Sequence, residues 1–262
     1  MSQVEAKEIR WKSLLKQAIQ EPGTVSKAYS AFWNYSTGNQ LLATIECAVR
    51  NIPIGPMASF MGWKEKGRHV KKGEKAIGLW MPVARKRKTA DDKPTDEAEV
   101  FTTFIFRNHW FVLAQTEGAE YKPEPIPGWS KEQALEALNI TETRFEHIDG
   151  NCQGYAIRRQ VAINPLAQHP QRTLMHELAH VTLGHTAEMM ADSDRTPRNL
   201  REVEAEATAM LVCESLGLPG AEESRGYIQA WLGSGETIPD ASARRIFGAA
   251  DQILKAGRPS AK

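Results

Sequence analysis

The sequence His176-Glu177-Leu178-Ala179-His180 decides how the C-terminal half of the chain is interpreted, because it is an HExxH motif. On a helix, residues four apart lie on the same face, so both imidazoles can bind one metal ion. Glu177 follows the first histidine, where its carboxylate can accept a proton from a water on that metal. With 7 histidines among 262 residues, roughly 0.02 chance occurrences of the motif are expected. The motif therefore predicts a metal-binding helix and hydrolytic chemistry.

A second helix is expected to supply the third metal ligand, because hydrolytic zinc sites use three protein ligands and leave a fourth position to water. Residues 201–209 are acidic, rich in alanine and followed by apolar residues, which predicts a helix. Glu202 and Glu206 share a face of it, whereas Glu204 is rotated by about 200° from Glu202. We predict that Glu202 is the ligand and that Glu206 orients a ligand histidine or replaces Glu202. The alternative is a solvated acidic face.

The donor set predicts the metal and excludes one class of peptidase. Two histidines and a glutamate are typical of Zn²⁺, with Mn²⁺ or another divalent ion as the alternative. Metzincins carry a third histidine six residues after the second, and Thr186 stands there in this chain. His185 is displaced from that position by one residue, so we predict that it is structural or contacts a ligand histidine.

Length and composition fit a protein of two domains without a membrane segment. At 262 residues, one or two domains are expected, and no run approaches 18 apolar residues. Charged residues within the first ten positions argue against a signal peptide. Cys47, Cys152 and Cys213 are isolated, which argues against a disulfide framework or a cysteine metal site. We therefore expect a cytoplasmic protein with no membrane partner.

The charge is distributed unevenly along the chain. The overall net charge is +1, but residues 1–115 carry +7 and the remainder −6. Residues 60–88 alone hold 10 basic and 2 acidic side chains. A basic first half predicts a polyanionic partner, and an acidic second half argues that nucleic acid does not bind mainly there.

The pattern of the first half predicts mixed helices and strands. Helices are expected at residues 5–20 and 37–50 from their apolar periodicity. The polar residues 84–98 are expected to form a loop or a hairpin tip. Strands are expected at residues 76–83, 100–106 and 110–114, with a turn at residues 107–109.

A Pro-rich linker at residues 121–129 is predicted to separate the first domain, residues 1–120, from a second domain at residues 130–262. Ser130 is placed to cap the first helix of the second domain. A strand at residues 155–163, which alternates partly from residue 157, is expected to edge the metal cleft, where a peptide could add as an antiparallel strand.

Basic and aromatic residues interleave in the first half, as sequence-tolerant binding of single-stranded DNA requires. Bases stack on aromatic faces, while lysines and arginines contact phosphates. The alternative is that several of the aromatic residues belong to the core, as expected for Trp80 in mid-strand. The predicted DNA-contacting residues are Trp33, Tyr35, Asn39, Trp63, Lys64, Lys66, Arg68, Lys71 and Lys72. Phe60 and Trp80 are further aromatic residues that interleave with the basic ones.

Two segments of the sequence resemble known families. The run from His176 to His185, followed by the glutamates of residues 202–206, resembles the ImmA/IrrE-like zincin metallopeptidases. The segments Phe32–Leu42, Gly62-Trp63, Val70–Ile77 and Gln115–Gly118 are similar to the N-terminal domain of the ArdC antirestriction family. Together the resemblances cover most of the chain.

The resemblance implies an α+β fold in both domains. The first would be a single-stranded-DNA-binding domain with antiparallel strands, and the second a zincin-like metallopeptidase domain. It implies a plasmid- or phage-associated protein that protects incoming DNA from restriction, for which double-stranded DNA would be a weaker ligand and a host protein or peptide the substrate. Two alternatives stay open: a DNA-binding protector with a purely structural metal, and an ImmA-like regulatory peptidase that cleaves a repressor.

Overall fold

The computed structural model describes most of the chain, namely residues 10–86, 100–146, 151–186 and 196–259. Along the chain the elements are α1 (Trp11–Gln20), α2 (Thr24–Phe32), α3 (Thr37–Val49), β1 (Met57–Ser59), α4 (Phe60–Glu65), β2 (Arg68–Val70), β3 (Ile77–Lys86), β4 (Val100–Val112), β5 (Thr116–Gly118), α5 (Lys131–Ala137), β6 (Thr141–Glu142), β7 (Gly154–Ile157), β8 (Gln160–Ile163), α6 (Pro170–Thr182), α7 (Arg198–Leu216), α8 (Ala221–Gly233) and α9 (Asp240–Ala256). The predicted α+β fold class is confirmed.

The described residues form two compact units. The first comprises residues 42–123, and the second comprises residues 10–41 together with residues 124–259. The division after Pro123 falls within the Pro-rich segment expected to be a linker. Helices α1 and α2, in contrast, pack with the second unit, although they precede the first unit in the sequence.

An antiparallel sheet with β4 at its centre, in the order β1-β4-β3, organises the first unit. β4 continues through Arg107-Asn108-His109, so the turn predicted there is wrong. The register with β3 shifts by one residue between Ile77 and Gly78, which leaves an extra residue on β4, a β-bulge. The bulge lies at the end of three successive exposed polar residues, 107–109, through which the strand continues.

The polar segment that follows β3 was expected to be a loop from residue 84 onward. The strand instead extends to Lys86, where it still pairs with Val100 at the start of β4. The rest of that prediction falls on residues 87–98, outside the described part of the chain. Likewise, α1 covers residues 11–20 of the helix expected from residue 5, and the residues before 10 are not described.

Helix α7 lies at the centre of the second unit. Its residues 203–215 are all buried, and α2, α6, α8 and α9 pack against it. Ala205 and Ala209 are completely buried, and such small side chains let neighbouring helices approach closely. Gly217 ends the helix with φ +66°, a left-handed conformation that glycine adopts without strain.

The second unit also contains a three-stranded sheet in the order β6-β8-β7. The strand expected at residues 155–163 is in fact divided: β7 and β8 form an antiparallel hairpin that turns at Arg158, where φ is +54°. β8 pairs on both sides, with β6 in parallel and β7 antiparallel. β7, the first part of the expected strand, therefore lies at an edge of this sheet, whereas β8, its second part, is the central strand.

The Ser130 hydroxyl accepts a hydrogen bond from the Gln133 N–H at 3.2 Å, which confirms the cap predicted for α5. Among the helices that the structure describes, none combines the length and apolar character needed to span a membrane.

Candidate metal centre

Helix α6 carries the HExxH motif, and the sequence sets both of its ends. Pro170 occupies the first helical turn, where a missing backbone N–H costs nothing. The helix ends at Thr182, and Gly184 follows with φ +80°. Its buried face includes Leu174 and Leu178, so α6 packs against α7 with its histidines facing a cavity.

The structure places three ligand-type atoms around one point. His176 Nε2 and His180 Nε2 lie 3.0 Å apart. Glu202 Oε2, on α7, lies 3.6 Å from the first nitrogen and 3.5 Å from the second. In the described parts of the chain, these three residues form the group of ligand-type side chains whose donor atoms lie close enough together to hold a metal ion.

This donor set fits a divalent cation. Three atoms each about 2.0–2.2 Å from one tetrahedral ion would be about 3.3 Å apart, which is close to the three separations observed. Two neutral imidazoles and one carboxylate also leave one position for water. Residues His176, His180 and Glu202 would therefore hold the ion.

A network of polar contacts fixes the His176 ring from behind. Its Nδ1 lies 3.3 Å from Glu206 Oε1, an ion-pair distance without the alignment of a good hydrogen bond. The same oxygen accepts a 2.6 Å bond from Arg172 Nη2, and Arg172 Nε donates to Ser224 Oγ at 2.8 Å. Although burial alone would lower the pKa of His176, the two carboxylates Glu202 and Glu206 raise it to about 9.

The second ligand histidine is fixed by a different set of residues. His180 Nδ1 lies 3.0 Å from His185 Nδ1, and His185 Nε2 lies 2.9 Å from Glu204 Oε2. Glu204 is completely buried, and Arg245 Nη2 from α9 approaches the same oxygen to 3.6 Å. Burial acts to raise the pKa of Glu204, but hydrogen bonds from His185 and Ser242 outweigh it and lower that pKa.

One arrangement of protons satisfies this chain of contacts when His180 Nε2 faces a cation. His180 Nδ1 must then carry its proton and donate it to His185 Nδ1. His185 consequently carries a proton on Nε2 and donates it to the Glu204 carboxylate. The buried carboxylate thus determines, through His185, which nitrogen of His180 is available to a metal.

Glu204 and His185 were not identified as partners from the sequence. The rotation of Glu204 away from Glu202 was predicted from helical geometry, and the structure shows where that rotation leads: to His185, beyond the end of α6. A buried acidic residue in an alanine-rich helix was the available signal, since such a carboxylate needs a partner.

Glu177 lies beside the ligand cluster and is 6% exposed. Burial raises the pKa of its carboxyl group, Glu202 and Glu206 raise it further, and His176 and His180 oppose the rise. Strand β7 passes close by, because a Cβ built on Gly154 would lie 3.3 Å from Glu177 Oε1 and 2.6 Å from Thr173 Cγ2. Glycine at this position therefore leaves room for the Thr173 methyl group first and for the Glu177 carboxylate beside it.

The cluster opens into a cavity of about 430 Å³. Strand β7 and helices α6 and α7 contribute most of its walls, so the sheet edge and the ligand atoms face the same space. The residues lining it are Gly154, Tyr155, Ala156, His176, Glu177, His180, His185, Thr186, Arg198, Arg201 and Glu202.

Two models of known protein families match separate parts of the chain. Residues 1–111 match the family model of the N-terminal domain of anti-restriction factor ArdC, and residues 136–228 match that of the IrrE N-terminal-like domain of the M78 peptidases. The fold is similar to the metal-free crystal structure of the antirestriction ArdC protein from plasmid R388, with a TM-score of 0.54, 21% identity and 94% of both chains covered.

The chain thus combines an ArdC-type N-terminal domain with an IrrE-like M78 domain. The Mn(II)-bound crystal structure of the same R388 protein has a TM-score of 0.52 and 20% identity, with 94% of this chain and 95% of that one covered. An uncharacterized protein of Bacillus anthracis is 23% identical, and the matched region covers 75% of this chain and 41% of that protein. This ArdC-type chain therefore spans less than half the length of that relative.

The residues predicted to contact DNA fall in both compact units of the ArdC-type chain. Trp33, Tyr35 and Asn39 belong to the second unit, where the Trp33 ring packs 5.3 Å from the Arg258 guanidinium. The others belong to the first unit, and their side chains at positions 64, 66, 71 and 72 are exposed.

Two residues of the first unit are more constrained than the sequence implied. Trp63 is 1% exposed, its indole N–H donates to the Phe111 carbonyl at 2.7 Å, and its ring meets Tyr121 edge-on. It belongs to the core, so the prediction that its ring stacks on bases is wrong. Arg68 is also committed locally, because its guanidinium donates to Thr116 Oγ1 and to backbone carbonyls of the β5 region.

Phe60 is the aromatic residue that α4 exposes instead. It is 50% exposed, and its neighbour Met61 is 56% exposed. Lys64 is four residues further along α4 and therefore lies on the same face as Phe60. An apolar ring and a cation thus lie next to each other on the surface of the basic unit.

Proposed function

We propose that this chain is an antirestriction protein that binds single-stranded DNA through its N-terminal domain and hydrolyses a peptide bond at the metal centre of its C-terminal domain, acting in the cytoplasm on DNA that enters the cell. The observation that carries the proposal is the convergence of His176 Nε2, His180 Nε2 and Glu202 Oε2 beside the buried Glu177. A metal with a purely structural role would have no use for Glu177.

The residues of the site have separate tasks in this proposal. A bound Zn²⁺ or Mn²⁺ would polarise the scissile carbonyl and lower the pKa of a bound water. Glu177 would accept the proton of that water and pass it to the leaving amine. Glu206 and the His185–Glu204 pair would hold the two ligand rings in their productive orientation.

Strand β7 is the element on which a peptide would be held. It lies at the edge of its sheet and contributes Gly154, Tyr155 and Ala156 to the cavity wall. An extended peptide could pair with this edge through main-chain hydrogen bonds, which would present its backbone to the metal. Because main-chain hydrogen bonds hold the peptide, this binding mode needs few pockets for substrate side chains, for which a small domain has little room.

The proposed DNA contacts lie on the first unit. The exposed lysines Lys64, Lys66, Lys71 and Lys72 would contact phosphates, and Phe60 would stack on a base. Contacts of this kind read the backbone and the base face but little of the sequence, which suits a protein that must accept any incoming DNA. Double-stranded DNA offers no exposed base faces and would bind more weakly.

The proposal is tested by measuring protection of unmodified incoming DNA in a restricting host, for wild type and Glu177→Gln. Glu136→Gln is the matched control, because Glu136 is an exposed residue of α5 outside the site. We expect Glu177→Gln to lose protection while it still folds, binds metal and binds single-stranded DNA.

Two other outcomes would contradict the proposal in different ways. Full protection by Glu177→Gln would assign the activity to the DNA-binding domain and make the metal structural. Protection that persists in a folded variant unable to bind DNA would favour a regulatory peptidase that cleaves a repressor.

A further inference from the structure

Two arginines line the metal cavity together with the ligand cluster. Arg198 and Arg201 lie in the first turns of α7, three residues apart, and Glu202 follows directly. Residues at positions i, i+3 and i+4 share a helix face, so both guanidinium groups project on the side of α7 that carries the ligand carboxylate. The arginines therefore stand at the rim of the space that a substrate must enter.

The charge of this rim contrasts with that of the domain around it. Residues 116–262 have a net charge of −6, yet the acidic residues that line the cavity are Glu177 and Glu202, both with tasks at the metal centre. Among the hydrogen bonds and ion pairs of the described residues, none involves the side chain of Arg198 or Arg201. Arg172, by comparison, is bonded to both Glu206 and Ser224.

We propose that Arg198 and Arg201 select substrates that carry a carboxylate side chain next to the scissile bond. The planar guanidinium matches the geometry of a carboxylate and binds it with two parallel hydrogen bonds. A peptide held along β7 would pass between that strand and α7, which places its side chains within reach of the rim. The inference rests on the proposed function for the identity of the ligand as a peptide.

An acidic peptide suits this rim better than a nucleic acid strand, although a phosphate group would also attract arginine. A DNA backbone carries a charge at every nucleotide and would have to lie against a domain of net charge −6. A single carboxylate needs only the two arginines.

The test measures peptide binding rather than turnover. Two fluorescein-labelled peptides are compared, identical except that one has glutamate and the other glutamine at its two central positions. Anisotropy is recorded with full-length, Mn²⁺-loaded Glu177→Gln, alone and combined with Arg198→Ala, Arg201→Ala or the control Arg144→Ala, an exposed residue outside the cavity. We expect the glutamate peptide to bind more tightly, and each rim substitution to reduce that preference about fivefold.

Equal binding of the two peptides, or a preference that both rim variants retain, would overturn the proposal. Displacement of the glutamate peptide by a single-stranded oligonucleotide whose own affinity depends on Arg198 would assign the rim to phosphates instead. The proposed hydrolytic function is tested separately by the protection experiment with Glu177→Gln. A negative outcome there would leave the glutamate preference measured by anisotropy unaffected.

Discussion

The orientation of His180 depends on a residue that is not itself expected to touch the metal. His185 connects the His180 ring to the buried Glu204, and this contact fixes the nitrogen that faces the cavity. Loss of such a hydrogen-bond partner typically lowers metal affinity, because the released histidine ring must then be ordered when the ion binds.

His185→Phe should therefore lower the affinity for Mn²⁺ by about tenfold to a hundredfold. Titration calorimetry with the metal-free protein measures it, and the melting temperature in excess chelator shows whether the variant is folded. His169→Phe is the control, because His169 pairs with Glu223 outside the metal centre. An unchanged Mn²⁺ affinity in folded His185→Phe would show that the contact has no role in metal binding.

The cysteines differ sharply in their expected reactivity. Burial raises the pKa of Cys47 to about 11 and that of Cys213 to about 12, so almost no thiolate is present at pH 8. Cys152 is only partly buried. Titration with a disulfide reagent should thus modify one thiol in the folded protein and all three after denaturation, and Cys152→Ser should abolish the rapid phase. Rapid reaction of two thiols in the native state would contradict this picture.

The spacing of residues within a helix predicts much of the metal centre, but it does not predict which residues of different helices contact each other. The four-residue spacing explains why His176 and His180 face one point and why Glu202 and Glu206 share a side of α7. That Glu204 meets His185 depends on how the end of α6 packs against α7, and no local pattern records such packing. The same is true of the arginines on the cavity rim.

At the scale of single elements, helix α4 shows how a short amphipathic segment is misread. It has six residues, and Trp63 occupies its inner face while Phe60, Met61 and Lys64 are exposed. Glycine and lysines around Trp63 made this residue resemble a surface aromatic. Which face of so short a helix is buried is decided by β4, to whose backbone the Trp63 indole donates.

Two substitutions in α4 should separate DNA binding from stability. Phe60→Ala should weaken binding of a labelled single-stranded oligonucleotide by about 1–3 kcal/mol, because a stacking surface is lost, with little change in stability. Trp63→Phe should lower the free energy of unfolding by about 1–3 kcal/mol, because packing and a buried hydrogen bond are lost, and leave DNA affinity unchanged. Anisotropy measures the DNA affinity and urea denaturation the stability. Weaker DNA binding by Trp63→Phe, with unchanged binding by Phe60→Ala, would show that Trp63 and not Phe60 contacts DNA.

At the scale of the whole molecule, the second unit is assembled from segments that are distant in sequence. Arg225 of α8 is buried and pairs with Glu214 of α7, and it also donates to the carbonyls of Ala18 and Ile19 at the end of α1. Glu214 in turn accepts a bond from the Val25 N–H at the start of α2. This pair therefore ties the N-terminal helices to the unit that contains the metal centre.

Arg225→Ala should lower the free energy of unfolding of this unit by about 3–5 kcal/mol, because the Glu214 carboxylate would stay buried without its partner. Urea denaturation of the metal-free protein measures the loss. The exposed Arg144→Ala should change it by less than about 0.5 kcal/mol. A small effect of Arg225→Ala would mean that α1 and α2 are held mainly by apolar packing.

The burial of α7 has a consequence for genetic studies of this protein. Thirteen consecutive residues of the helix, 203–215, are buried, and the residues just before them face the metal cavity. In a random mutagenesis screen for loss of activity, most hits in α7 would come from chains that fail to accumulate, and few from altered chemistry. A collection of such alleles would outline the core of the protein rather than its active site. Informative alleles would have to be chosen deliberately, from residues such as Glu177 or Arg198, and checked for normal protein levels.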